Sequence, residues 1–150
     1  MARLPIALTL ALAMVGCGGG DAESQPDPVD EPPPPAASVS IVSPAAGATV
    51  PAGPLTVVFE VEGLVVAPAG TMDTGTGHHH LIVDADVESW TEPIGVEEGR
   101  YIHMGQAQTE FVLEGLEPGE HRLIAVVADG VHIPLSPPVS DTITITVEGG

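Results

Sequence analysis

From Ser38 onward, apolar and polar residues alternate in short runs that glycine and proline interrupt about every ten positions. A period of two marks half-buried strands, and no segment keeps the 3.6-residue period of a helix. SVSIVS (38–43) is the first such run. LTVVFEVE (55–62) places Leu55, Val57, Phe59 and Val61 on one face, with Glu60 and Glu62 on the other. HHHLIVD (78–84) has a continuously apolar centre, which suits a central strand covered on both faces. Between residues 85 and 105 the pattern weakens, and Trp90 and Pro93-Ile94 offer at most one short strand. QTEFVL (108–113), HRLIAVVA (121–128) and TITITV (142–147) complete the set.

Six or seven strands at this spacing predict a single antiparallel β-sandwich, immunoglobulin-like in the broad sense. Trp90 is not placed like the buried tryptophan of antibody domains. The only cysteine is Cys17, so no disulfide joins the sheets.

Strand direction sorts the histidines. Successive strands run up and down, so the loop before residue 78, the approach to residue 108 and the loop after residue 128 share one end of the sandwich. His78, His79, His80, His103 and His132 fall at that end, with His103 in the loop just before the 108–113 strand. His121 falls at the other. Half of the six histidines are consecutive.

The first 37 residues read differently. Arg3, an apolar stretch from Ile6 to Val15 and then Gly16-Cys17 form a secretory signal that is too short for a permanent membrane span of about 20 residues. The Val15-Gly16-Cys17 ending resembles a bacterial lipobox. It implies removal of residues 1–16, acylation of Cys17 and firm anchoring to a membrane. Gly18 after the cysteine favours outer-membrane sorting in a Gram-negative host, facing the periplasm or the cell surface. Residues 17–37, rich in glycine, proline and acid, are expected to form a disordered tether stiffened by Pro32 to Pro35. The folded domain is then 38–150.

Charge narrows the partners. The formal net charge is −18, and the only basic side chains in the domain are Arg100 and Arg122. Nucleic acid is excluded, because binding it requires a basic footprint. Cations are attracted instead. With Cys17 consumed by lipid, a metal ion would need histidine, carboxylate or methionine ligands.

Within the triplet, alternation sends His78 and His80 to one face and His79 to the other. Two imidazoles at i and i+2 can share an ion, and His103 and His132 can complete the set; the ligand type suits copper or zinc. Met104, Asp84 and His79 are additional candidates, with Asp73 and Asp86 as outer partners. The same histidines can instead organise loops by donating to unpaired carbonyls, which requires no metal. His121 reads as structural. No nucleophile elbow, phosphate loop or zinc-protease motif appears. A non-enzymatic protein is therefore expected, with hydrolysis by a metal-bound water as the remaining catalytic route.

Four phrases, GTGHHHLIVD, YIHMGQAQTE, LEPGEHRLIAVVADGVHIP and SPPVS, resemble an exported bacterial family known as domain of unknown function 4399. The resemblance runs from about Ser38 to the end. His78, His79, His80, His103, His121 and His132 match its histidines, whereas Tyr101 and Leu135 stand where the family often has two more. It implies an exported domain and supplies no activity. Together these readings predict a lipid-anchored envelope protein whose histidine-rich end binds copper or zinc. The alternative is a non-catalytic surface module whose histidines are structural.

Overall fold

Val39 and Ile41 are buried while Ser38, Ser40 and Val42 are exposed, so β1 (Ser38–Ser43) lies against a core on one face only. A computed structural model describes residues 35–149. The signal segment, Cys17 and the tether up to residue 34 lie outside the described residues.

Eight further strands follow: β2 (Thr49–Val50), β3 (Leu55–Glu62), β4 (Val65–Val66), β5 (Thr76–Val83), β6 (Tyr101–Met104), β7 (Glu110–Leu113), β8 (Gly119–Ala128) and β9 (Ser140–Val147). They form two sheets, one ordered β1-β3-β7 and the other β2-β9-β8-β5-β4, with β6 also paired to β5. The described residues thus form an all-β sandwich. Strands β1, β3 and β7 oppose β9, β8 and β5, which is the partition of strands A, B, E against G, F, C in an immunoglobulin-like fold.

All pairings between the longer strands are antiparallel, as expected. The two-residue strands β2 and β4 are exceptions, each lying parallel to its neighbour. The segment after β1 turns through Gly47, whose N–H donates to Thr144 of the opposite sheet at 2.7 Å. Gly47 has φ of 75°, a left-handed conformation that glycine tolerates.

The strand expected between residues 85 and 105 is real but lies at the far end of that interval. Trp90 and Pro93-Ile94 are not in it; it is Tyr101–Met104, beside β5. His103 is therefore held in a sheet rather than in a loop.

Two cores explain why β5 and β8 read as continuously apolar. Between the sheets, Val57 and Phe59 of β3 meet Leu81, Leu123, Ile143 and Ile145. On the outer face of the larger sheet, Ile82, Tyr101, Ile124 and Val126 pack under Ala85, with Val87 and Ile94 against them. The segment between β5 and β6 thus covers a face that most sandwiches leave to water. That outer face carries His78, His80 and His103.

Candidate metal centre

His78 and His80 stand on β5, which is paired along one edge with β8 and along the other with β6. Period two sends both rings to the outer face of the larger sheet. His80 is paired across the strands with His103 of β6, and such pairs project to the same side. His132 comes from the loop between β8 and β9, where its φ is 72°.

The four rings form a closed group. All six centroid separations lie between 4.7 and 5.6 Å. One ring nitrogen from each residue falls within 4.8 Å of the other three. His78 Nε2 is 3.1 Å from His80 Nε2 and 3.2 Å from His132 Nδ1. Zinc–nitrogen bonds of about 2.0–2.1 Å place tetrahedral ligand atoms about 3.3 Å apart, so these separations suit one shared ion.

Hydrogen bonding does not account for the arrangement. A neutral ring nitrogen carries either one proton or one lone pair. His78 Nε2 can therefore make only one well-aligned bond with its two ring neighbours. Among the described residues, the buried Nδ1 atoms of His78 and His80 and the buried Nε2 of His103 have no hydrogen-bond partner, and neither have the two ring nitrogens of the core residue His79. None of the four rings caps a loop carbonyl among the described residues. A cation at the centre would engage one lone pair from every ring.

His78, His80 and His103 are also held in the right charge state. Burial, helped by the neighbouring imidazoles His103 and His132, lowers the pKa of His78 to about 4. Burial and the nearby rings, His78 first among them, take His80 to about 3. His103 is lowered by burial and by His132. Neutral imidazole is the form that binds metal.

Glycines let loops close over this face. A Cβ on Gly105 would collide with the His103 ring, and one on Gly130 with the Thr71 carbonyl. The backbone then runs close: Ala69 N–H donates to Gly105 at 3.0 Å and Gly70 N–H to Gly130 at 2.8 Å. Ile94 N–H reaches the His132 carbonyl at 2.9 Å. None of these supports was read from the sequence, although Asp-Gly at 129–130 is a turn signal that pointed to the loop.

Three other candidate ligands lie elsewhere. His79 faces the inter-sheet core, stacked on Phe59 with centroids 5.0 Å apart. Met104 is fully buried in that same core. Asp84 is at the far end of β5, where it accepts from Arg122 N–H at 2.8 Å and bonds His121 Nδ1 at 2.6 Å. Asp86 is there too, paired with Arg122.

His121 shows what a structural histidine looks like in this chain. Both its nitrogens face acceptors, the Asp84 carboxylate and the Glu117 carbonyl at 2.7 Å. Against the opposing effect of burial, those two bonds raise its pKa.

A cavity of about 540 Å³ lies beside β6 and β7, lined by Tyr101, His103, Phe111, Leu113 and Glu114 among others. Of the four clustered histidines it touches only His103, so the chemistry is assigned to the ring cluster, not to this hollow.

No curated protein matches the chain. Among solved structures, a crystal structure of an engineered protein is similar over 77% of this chain, with 17% identity and a TM-score of 0.45. The match spans 21% of that protein. A family model described as a domain of unknown function, DUF4399, matches residues 57–148. It begins within β3, later than the resemblance noted from Ser38. With more than half of its length matched, and with the histidines at 78–80, 103, 121 and 132 all inside the matched region, the chain belongs to the DUF4399 family.

Proposed function

We propose that this protein is a lipid-anchored component of the bacterial cell envelope that binds a divalent transition metal, copper(II) or zinc(II), through His78, His80, His103 and His132. One observation carries the reading: four imidazoles converge, each offering a nitrogen within 4.8 Å of the rest, and the facing Nε2 atoms of His78 and His80 have at most one proton to share. Borderline nitrogen ligands without thiolate or thioether suit these ions. The strongly acidic chain raises the local concentration of cations.

Four protein ligands fill a tetrahedral zinc site and leave no open position for substrate, which favours sequestration, sensing or delivery over catalysis. The envelope location rests on the signal stretch and on Cys17, whose acylation would tether the domain.

Equilibrium dialysis of the purified protein against micromolar Cu(II) and Zn(II) tests the metal. One ion per chain is expected, with uptake lost when His78, His80 and His132 are all replaced by alanine. No uptake, or uptake indifferent to those substitutions, sinks the reading. Labelled palmitate tests the anchor: incorporation is expected in the native protein and not in Cys17→Ser.

A further inference from the structure

Three of the four rings stand on hydrogen-bonded strands, and the fourth does not. His132 sits on a loop in a left-handed conformation, φ 72°, which residues other than glycine adopt uncommonly and which a fixed loop can hold in place. One residue makes most of the hydrogen bonds that hold this loop. Asp129 Oδ1 accepts the N–H groups of Val131 and Ile133 at 2.9 and 3.0 Å. Its carbonyl accepts His132 N–H at 3.0 Å, and its own N–H donates to Ile133 at 2.9 Å.

Asp129 also bears on the cluster through charge. Its carboxylate lies three residues from His132, in the loop that carries that ring. A divalent ion held by four neutral imidazoles brings two uncompensated charges into a mostly buried place. The carboxylate offsets part of that charge at no cost in ligands.

We propose that Asp129 is the positioning residue of the metal centre, fixing His132 through the loop and supplying a negative charge three residues from that ligand. The inference rests on the metal reading above and adds a residue outside the ligand shell. Outer partners of this kind contribute about 10–100-fold in affinity.

Competition titrations with Cu(II) and Zn(II) on the whole purified protein test it, using Asp129→Ala, Asp129→Asn, His132→Ala and the two double variants. Asparagine keeps the Oδ1 acceptor and loses the charge. Asp129→Ala is expected to weaken binding about 10–100-fold, and Asp129→Asn less. In the His132→Ala background, the alanine and asparagine substitutions should become equivalent, because only the charge remains to be lost. Should Asp129→Ala misfold by circular dichroism, the asparagine variant still reads the charge contribution.

Binding by Asp129→Ala within twofold of the native protein overturns the proposal. So does an alanine effect of full size after His132 is gone, since Asp129 would then not act through that ring. If the native protein takes up no metal, the metal reading fails and this inference with it. Uptake by the native protein that is indifferent to Asp129 removes this inference alone.

Discussion

His78 Nε2 lies 3.1 Å from His80 Nε2, two ring nitrogens face to face with at most one proton to share. Both side chains are buried, so water does not settle the pairing. An ion that takes both lone pairs removes the conflict, and the predictions below turn on that exchange.

Metal should stabilise the fold in proportion to its affinity. At a hundredfold excess over Kd, binding to the folded state alone contributes about 2.7 kcal/mol, which raises the Tm of a domain of this size by roughly 10 °C. Calorimetry with and without chelator is expected to show that difference in the native protein and to lose it in His80→Ala. Equal shifts in both would indicate binding elsewhere.

Without metal, acid should unfold the protein early. The folded pKa values of His78 and His79 are about 4, and that of His80 about 3, all lowered first by burial. The unfolded chain binds these protons near pH 6.5, so the folded state holds fewer protons below that point. Stability is full above about pH 6.5 and falls as pH drops toward 4, by up to about 1.4 kcal/mol per pH unit for each histidine. Urea titrations of the chelated protein at a series of pH values measure the slope, and a flat profile from 7 to 5 contradicts it.

His121 should act with the opposite sign. Its pKa is raised because the Glu117 carbonyl and Asp84 outweigh burial. Its contribution is present below about pH 6.5 and is lost as pH rises through the folded value. Asp84→Asn is expected to lower that value in NMR titration of the His121 ring while leaving metal uptake unchanged. Reduced uptake in Asp84→Asn would couple the two ends of the sandwich, which the structure does not.

Gly105→Ala tests the packing around His103. The new methyl would meet the imidazole, and the ring must turn away from its neighbours. A loss of tenfold or more in metal affinity is expected, with a smaller change in the Tm of the metal-free protein. Unchanged affinity would mean that His103 is not a ligand.

Alternation made most of the sandwich readable. The runs at 38–43 and 55–62 coincide with β1 and β3, because each buries one face and wets the other. Strand direction likewise placed His132 beside the triplet and His121 apart from it. Alternation fails for YIHM, where covering by Ile94 and Val87 buries the outer face as well. The nominated Met104 follows His103 directly, and adjacent strand residues point to opposite faces. Asp84 lies four residues beyond His80, about 13 Å along an extended strand. Which sheet each strand joins, and the hydrogen bonds of Asp129, come from contacts distant in sequence that no local pattern encodes.

X-ray absorption of the zinc-loaded protein tests the shared ion most directly. The expected result is one zinc per chain with four nitrogen neighbours at about 2.0–2.1 Å, each showing the outer scattering of an imidazole ring. Zinc bound mainly by oxygen, or by fewer than three imidazoles, would contradict a centre made of His78, His80, His103 and His132.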